Sequence, residues 1–387
     1  MAAIHQQVKE TYHQLFGSDT DSILSVSPGR VNIIGEHTDY NGGFVLPASI
    51  NKAVYLAIGW RNDDEVHLYA KDLEEKFSST ISAIQPGVHK GWPAYIVGSA
   101  AQFMKKGFAL KGFNAVLSSD VPIGAGLSSS AAVECAVVFA INELLNAKLD
   151  RIEMLKMAQK AEHEYAGVMC GIMDQFASMM GKKNNVLKLD CRSLEFEYVP
   201  FEPAGYKILL LNTNVKHSLA SSEYNTRRME CEQAVQWVKE QEPQVNSLRD
   251  IDMAMLQKYV LPKSELIFRR SSFVVNENER LHSVCRHLQS GNIAAMGKQM
   301  YAAHADISAN YEVSCKELDW LVNYVKPHTS VAGARMMGGG FGGCTINIVK
   351  EEAIDALVQN IQPAYREAMN LDLSYYIASI DDGTHLM

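Results

Sequence analysis

Residues 28–47 constrain the fold of this chain more than any other stretch. They read Pro-Gly-Arg-Val-Asn-Ile-Ile-Gly-Glu-His-Thr-Asp-Tyr-Asn-Gly-Gly-Phe-Val-Leu-Pro, so four consecutive polar residues stand between two apolar runs and are bounded by glycines. Two apolar runs separated by an Asn-Gly pair predict a β-hairpin with strands over 31–34 and 44–46 and a tight turn at Asn41-Gly42. The Glu-His-Thr-Asp run at 36–39 is then either a solvated loop or a site for ligand hydroxyl groups.

Composition excludes several classes of protein. The 387 residues are 47% hydrophobic and 21% charged, which is typical of a globular protein with a large core. The net charge of −8 argues against non-specific binding to nucleic acid or to anionic membranes. Seven cysteines without a C-x-x-C pair indicate neither a disulfide framework nor a zinc ribbon. With no signal pattern and no membrane-length apolar run, we expect a cytoplasmic protein that binds neither nucleic acid nor membrane.

Local patterns alternate between strands and helices without an evident linker. The pattern predicts strands over 54–59, 65–70, 113–117, 186–189, 207–211 and 344–349. It predicts helices over 5–16, 128–146, 151–166, 171–181, 222–240 and 314–326. A return to strand character after residue 185 suggests a boundary near 200–206. We therefore expect two domains, 1–204 and 205–387.

A second informative stretch, 120–132, reads Asp-Val-Pro-Ile-Gly-Ala-Gly-Leu-Ser-Ser-Ser-Ala-Ala. Small residues allow a backbone to approach a ligand closely, and a serine-capped start of an apolar helix is suited to binding an anion. The alternative is an ordinary glycine turn followed by a serine cap. The chain carries no Walker, protein-kinase or dinucleotide-binding motif. If this stretch binds phosphate, the residues that do so are Gly124, Ala125, Gly126, Leu127, Ser128, Ser129 and Ser130.

Two acidic residues and a glycine cluster also require an explanation. Glu162 falls at the edge of the inward face of the helix predicted over 151–166, so its carboxylate either reaches solvent or is buried and needs a partner such as a divalent cation. Asp174 stands in the apolar run 170–180, either as a first-turn helix residue or as a functional group. The glycines at 338–343 exclude a helix or strand interior and leave a loop, flexible or functional.

The four motifs at 28–47, 120–132, 170–175 and 335–344 resemble those of galactokinases, in the larger family of homoserine, mevalonate and phosphomevalonate kinases. The resemblance spans nearly the whole chain and keeps the order of the family's motifs. It implies a two-domain α+β small-molecule kinase fold. The N-terminal domain would be like ribosomal protein S5 domain 2 and the C-terminal domain ferredoxin-like, with the active site in the cleft between them.

The resemblance also implies an activity, which is transfer of the γ-phosphoryl group of MgATP to the C1 hydroxyl of α-D-galactose. This is the first committed step of galactose catabolism by the Leloir pathway. Asp174 would face the reacting hydroxyl with Arg30 beside it, and Ser130 and Glu162 would hold Mg2+. The residues expected to hold the sugar are Glu36, His37, Thr38, Asp39, Gly171, Asp174 and Tyr224. The loop at 338–343 would fold over the site and support the phosphate loop.

Two alternatives to this activity remain open. One is a kinase for a related sugar, such as N-acetylgalactosamine or arabinose. Such relatives differ around the catalytic Asp and the Glu-His-Thr-Asp loop, which here are of galactokinase type. The other is a non-catalytic galactose sensor of the same fold, which is expected to have lost part of the Ser-Ser-Ser-Ala run that is intact at 128–131. No obligate protein partner is evident from the sequence.

Overall fold

The protein was analysed as a computed structural model that describes residues 3–17, 21–122, 124–215 and 220–387, and the side chains from residue 223 onward in the last range. Ile123 of the phosphate stretch lies outside these residues. Helices and strands alternate along the chain, as the sequence predicts. Among the described helices, none is both long enough and apolar enough to cross a bilayer.

Thirteen strands occur in the described residues. They are β1 (Ile23–Asn32), β2 (Phe44–Val45), β3 (Pro47–Trp60), β4 (Glu65–Ala70), β5 (Glu75–Thr80), β6 (Phe113–Ser119), β7 (Asn185–Asp190), β8 (Phe196–Pro200), β9 (Tyr206–Asn212), β10 (Val331–Met336), β11 (Cys344–Lys350), β12 (Ser374–Ala378) and β13 (His385–Leu386). They form a six-stranded sheet in the order β13-β1-β3-β6-β4-β5, a four-stranded sheet in the order β10-β11-β9-β12 and a small sheet β2-β7-β8.

The described helices pack around these sheets. They are α1 (Ile4–Phe16), α2 (Trp92–Lys105), α3 (Ser129–Leu145), α4 (Arg151–Ala161), α5 (Met173–Met180), α6 (Ala220–Lys239), α7 (Met253–Met255), α8 (Glu265–Gln289), α9 (Ile293–Asp306), α10 (Lys316–Val325) and α11 (Ile354–Met369). Each predicted helix is present to within two residues at each end, except the one over 151–166. There, regular α-helix ends at Ala161, and a wider π-helical turn covers Glu162–Ala166. Such turns occur often at functional sites.

The predicted hairpin forms with a different connection. The apolar runs do pair, since Ile33 N donates to Leu46 O at 3.0 Å and Leu46 N to Ile34 O at 3.1 Å. The regular strands are instead β1 and β3, with Asn32 opposite Pro47. Asn41-Gly42 is not the tight turn of the hairpin; it ends a short 3-10 turn inside a longer loop over 35–43. That loop closes on itself because the Thr38 hydroxyl lies 2.9 Å from Gly35 O and 2.5 Å from Phe44 O.

The core below the two sequence motifs is built from both halves of the chain. Val31, Leu46 and Leu127 pack in one buried cluster with Leu210 and Ile346 of the four-stranded sheet. The last strand, β13, returns to pair with β1 in the six-stranded sheet. The division at residues 204 and 205 therefore stays a prediction, since the two halves share both a core and a sheet.

Close packing of α9 on β10 depends on two glycines. Strand β10 leads directly into the glycine-rich loop at 338–343. A Cβ placed on Gly297 would lie 1.8 Å from the carbonyl oxygen of Ala332, and one on Gly333 would lie 2.4 Å from the Cα of Gly297. Backbone atoms cannot move aside as a flexible side chain can. The sequence pattern alone does not show this contact.

We predict that Gly297→Ala lowers the free energy of unfolding by about 1–3 kcal/mol, because overpacking outweighs the helix propensity of alanine. Chemical denaturation measures the change. Ala294→Ser, at an exposed position of the same helix, is the control and should change stability by about 0.5 kcal/mol or less. An unchanged or raised stability in Gly297→Ala would contradict the close approach of α9 to β10.

Candidate active site

A cleft of about 570 Å³, including its open mouth, lies where the loop at 35–43, α5 and the glycine-rich loop at 338–343 meet. The predicted site residues that line it are Arg30, Glu36, His37, Asp39, Glu162, Gly171, Asp174 and Tyr224. Residues that are far apart in sequence are thus brought together around one cavity.

Arg30 and Asp174 form a two-pronged ion pair at the base of the cleft. Arg30 Nε donates to Asp174 Oδ1 at 2.7 Å, and Nη2 donates to Oδ2 at 2.9 Å. The strand places Arg30 here because the register of β1 with β3 shifts between Pro28 and Arg30. Bulges of this kind redirect a side chain. The guanidinium group is nearly buried, so the pair has a fixed geometry.

The phosphate stretch lies directly against this pair. Arg30 Nη1 donates to Gly126 O at 2.6 Å, and the Ser128 hydroxyl donates to Asp174 Oδ2 at 2.5 Å. Ser128 stands at the N-cap of α3, as predicted, but its side chain does not cap the helix because it is bound to Asp174. The helix start and the acidic residue are therefore fixed relative to each other.

The backbone of the phosphate stretch turns through the left-handed region at Gly124, Gly126 and Ser128, with φ of 74°, 72° and 59°. This conformation favours glycine and is uncommon for serine. The side chains of Ala125 and Leu127 point into the core. Residues 124–128 therefore form a loop whose two apolar side chains pack in the core and which ends at the positive end of the α3 dipole.

Glu162 is buried, which decides between the two interpretations of that residue. The Ser130 hydroxyl donates to Glu162 Oε1 at 3.1 Å, and Gln175 Nε2 donates to Oε2 at 2.7 Å. The same amide nitrogen lies 3.1 Å from an oxygen of Glu134, a second buried carboxyl group on α3. Burial, followed by the charge of Asp174, raises the pKa of Glu162. Among the described residues no lysine or arginine pairs with Glu162, so its charge lacks a cationic partner.

On the opposite wall, Glu36 is engaged by protein groups through both carboxylate oxygens. Gly338 N donates to Oε1 at 2.8 Å, and Arg335 Nη2 donates to Oε2 at 2.8 Å. The Asn32 amide also binds Oε2. Burial is the main cause that raises the pKa of Glu36, opposed by the Arg335 charge. Glu36 therefore links the loop at 35–43 to the glycine-rich loop.

His37 is part of a ring of aromatic groups. Its Nδ1 lies 2.7 Å from the Tyr40 hydroxyl, which lies 2.7 Å from that of Tyr311, and the Tyr224 ring packs against the imidazole with centroids 5.4 Å apart. Burial lowers the pKa of His37 to about 3, so the ring is neutral near pH 7. Its Nε2 has no hydrogen-bond partner in the part of the chain that the structure describes.

Asp39 and Gly171 are in direct contact. A Cβ on Gly171 would lie 1.8 Å from Asp39 Oδ2, so only glycine leaves room for this carboxyl group. Burial, then the nearby charge of Asp174, raises the pKa of Asp39 to about 7. Thr38, by contrast, is not among the lining residues, because its hydroxyl is used to close the loop. We therefore do not carry Thr38 forward as a substrate contact.

Some residues of the site were missed in the sequence. Arg335 lies next to the glycine cluster without any pattern that marks it as buried. Glu134 was detectable, because it is the one polar residue in the otherwise apolar run 131–141. Gln175 follows Asp174 directly, but an amide carries no signal of its own. Residue type and spacing alone do not show which polar groups bridge two carboxyls.

Comparison with known proteins agrees with this geometry. Residues 10–59 match the galactokinase galactose-binding signature, residues 94–182 the N-terminal domain of GHMP kinases and residues 284–367 their C-terminal domain. The chain is 38% identical to the galactokinase of Limosilactobacillus fermentum over 98% of this chain and 99% of that protein. It is 39% identical to the galactokinase of Thermotoga maritima over 92% of this chain and 98% of that protein.

The chain belongs to the galactokinase family. Its fold is similar to that of Lactococcus lactis galactokinase solved with galactose, with a TM-score of 0.94 at 32% identity over 99% of this chain and all of that one. Mevalonate kinase of Methanococcus jannaschii shares the fold at a TM-score of 0.68 and 19% identity, over 94% of this chain and 99% of that one. The expected fold class of this galactokinase-family chain is thus confirmed, as is the resemblance drawn from its motifs.

We predict that Asp39→Asn stabilises this galactokinase-family protein increasingly as the pH rises. The pKa of Asp39 is about 7 in the folded chain against an ordinary 3.8, so its stabilising contribution is complete below pH 3.8 and is lost as the pH rises through 7. The neutral amide avoids this loss, which is on the order of a few kcal/mol at most.

Thermal unfolding at about pH 5 and about pH 8 measures the effect. The variant should gain more over the wild type at the higher pH. Asp64→Asn, at an exposed position, controls for a general effect of removing negative charge. An advantage of Asp39→Asn that is the same at both values would show that Asp39 titrates normally.

Proposed function

We propose that this chain is a galactokinase that transfers the γ-phosphoryl group of ATP to the C1 hydroxyl of α-D-galactose, giving α-D-galactose 1-phosphate and ADP. One observation carries the proposal: the Arg30–Asp174 pair contacts the phosphate loop on one side and lines the cleft on the other. A group so placed can reach both a bound phosphoryl group and a ligand hydroxyl. Family membership supports the same reaction.

Phosphoryl transfer asks a protein to position the reactants and to neutralise charge. We propose that Asp174 accepts or orients the proton of the C1 hydroxyl, because its oxygens keep lone pairs beyond those bound by Arg30 and Ser128. Arg30 would neutralise charge that develops on the transferred group. Both roles depend on their fixed contact, since misplacement by about 1 Å can cost about 10²-fold in rate.

The nucleotide would lie along residues 124–130. The loop is held from below by its apolar side chains and leads into α3, whose N-terminus favours an anion. Ser128 would act differently from the other two serines, because its hydroxyl is bound to Asp174. We propose that it relates the position of the phosphate loop to that of the reacting sugar hydroxyl.

A divalent cation such as Mg2+ fits Ser130 and Glu162. Their oxygens lie 3.1 Å apart, the carboxylate is buried, and no cationic side chain of the described residues compensates it. Oxygen donors of this kind suit Mg2+. When bound, the ion would neutralise charge on the phosphates. Gln175 holds the carboxylate in place through its amide at 2.7 Å.

The sugar would occupy the cleft between Asp39, Gly171, His37 and Tyr224. Neutral His37 and the carboxyl group of Asp39 both line the cleft, and imidazole nitrogens and carboxyl groups bind hydroxyls. A site built around particular hydroxyls can reject analogues that lack the matching bonds. Glu36 lines the same cleft, although both of its oxygens are already engaged. We also infer a cytoplasmic location, which the seven unpaired cysteines support.

Release of ADP with a panel of sugars tests the function. We expect turnover with galactose and much less with glucose, N-acetylgalactosamine or arabinose. Preference for another sugar would favour a kinase of related specificity, and sugar binding without ADP release would favour a sensor.

In the same assay we predict that Asp174→Asn lowers kcat about 10²–10⁴-fold, because general-base assistance is typically of this size. The dissociation constant of galactose, measured by calorimetry, should change by only a few fold. Asp64→Asn is the matched control away from the cleft. A variant of Asp174 that keeps most of its kcat would show that this residue does not act on the hydroxyl.

We predict that Glu162→Gln raises the Mg2+ concentration needed for half-maximal activity, with partial rescue by excess metal, because the amide is a weaker ligand than the carboxylate. Calorimetry of ADP binding with and without Mg2+ gives a second measurement. In the variant, Mg2+ should improve ADP binding less than in the wild type. A loss of thermal stability with an unchanged Mg2+ dependence would assign Glu162 a purely structural role.

A further inference from the structure

Arg335 is completely enclosed at the end of β10, and its guanidinium group makes four hydrogen bonds. Nε donates to Ile33 O at 2.7 Å and Nη2 to Asn32 O at 2.6 Å, while Nη1 donates to Met336 O at 2.7 Å and Nη2 also to Glu36 Oε2 at 2.8 Å. Its partners therefore belong to two segments, the end of β1 with the following loop and the end of β10. Arg335 does not line the cleft.

Glu36 completes this junction, and all of its partners are donors. They are the Arg335 guanidinium, the Asn32 amide and the Gly338 backbone N–H. A glutamine has the same shape but one acceptor oxygen instead of two, so it would turn an NH2 group toward a donor. The arrangement therefore requires a carboxylate at this position.

Gly338 carries the connection to the phosphate loop. The position of its missing Cβ lies 3.4 Å from Gly126 O, an ordinary van der Waals distance, so the two loops pack side by side here. The same carbonyl oxygen accepts the hydrogen bond from Arg30 at 2.6 Å. A continuous set of contacts thus runs from Arg335 through Glu36 and Gly338 to Gly126, and from there to Arg30 and Asp174.

We propose that Arg335 is a positioning residue that, through Glu36, holds the glycine-rich loop against the phosphate loop and so sets where the nucleotide lies relative to the sugar hydroxyl. This inference rests on the proposed function, since it assigns the phosphate loop to a nucleotide. Glu36 links the two loops in this arrangement and also lines the cleft. The distance between the two substrates is then set from outside the cleft, by Arg335, which does not line it.

If Arg335 had a purely structural role, its substitution would change thermal stability without changing nucleotide affinity or kcat. An enclosed ion pair is often no more stabilising than apolar residues of the same volume, so stability alone does not explain this one. Arg335 also bonds to three backbone carbonyls, which fix the two chain segments relative to each other. The distinguishing measurement is therefore nucleotide affinity and kcat, compared with thermal stability.

The experiment compares Arg335→Lys and Glu36→Gln with Arg270→Lys. Arg270 is a buried arginine paired with Glu312 and is not among the residues that line the cleft. Calorimetry gives the dissociation constants of MgADP and of galactose separately, and steady-state kinetics gives kcat and the KM for ATP. Thermal unfolding of all three variants is measured alongside.

We expect Arg335→Lys and Glu36→Gln to raise the dissociation constant of MgADP about tenfold and to lower kcat by a similar factor, as for loss of one hydrogen bond to a charged group. In Arg335→Lys the dissociation constant of galactose should stay within about threefold. Arg270→Lys should leave all three values unchanged. If Arg335→Lys does not fold, Glu36→Gln carries the test, because it changes no volume.

Two results would overturn the inference. One is a lowered melting temperature with unchanged MgADP affinity and kcat, which would make the junction structural only. The other is a Glu36→Gln variant that loses galactose affinity but keeps MgADP affinity, which would make Glu36 a sugar ligand. A wild type that binds MgADP but does not phosphorylate galactose would refute the proposed function, while the MgADP affinities of the variants would still decide the role of Arg335.

Discussion

The bidentate contact between Arg30 and Asp174 is the interaction on which the rest of the site depends. It joins three parts of the chain at one point: the bulge in β1, the phosphate stretch through Gly126 O, and the first turn of α5. A planar guanidinium group fixes both the distance and the angle of a carboxylate, which a lysine does not. Once this pair is in place, the start of α3 is fixed through Ser128.

Around this pair the site holds more negative than positive groups. Arg30 compensates Asp174 and Arg335 compensates Glu36, whereas Asp39 and Glu162 have no basic partner among the described residues. Burial together with neighbouring negative charge raises the pKa of both of these carboxyl groups. This arrangement lowers the stability of the fold, because buried carboxyl groups lack a cationic partner. The proposed sugar, through hydroxyl donors to Asp39, and the proposed metal ion, through positive charge at Glu162, would relieve this cost.

Much of this site could be predicted from the sequence, because its main groups lie in local patterns. The glycine and serine residues at 124–130, the lone acid Asp174 and Glu162 at the edge of an apolar helix face are each visible within one segment. The hydrogen bonds and ion pairs between segments cannot be predicted in this way. Thr38 looks like its polar neighbours but binds only its own loop, and Ser128 looks like a helix cap but binds Asp174. Arg335 forms an ion pair with Glu36, about 300 residues away in sequence, and no periodicity in the sequence predicts such a pair.

The glycines show why the same residue type has opposite meanings in different places. The cluster at 338–343 is not a flexible loop, since its backbone is held by Gly338 N on Glu36, by Phe341 N on Val313 O at 2.7 Å and by Gly343 O on Thr213 N at 3.0 Å. Positive φ angles at Gly338, Gly340 and Gly343 let the chain turn within this short space. Gly171 and Gly297 are needed for a different reason, because a neighbouring group occupies the position of their Cβ. In both cases the missing side chain allows two segments to approach closely. In this fold such approaches bring the loop at 35–43, the phosphate loop and the glycine-rich loop to one cleft.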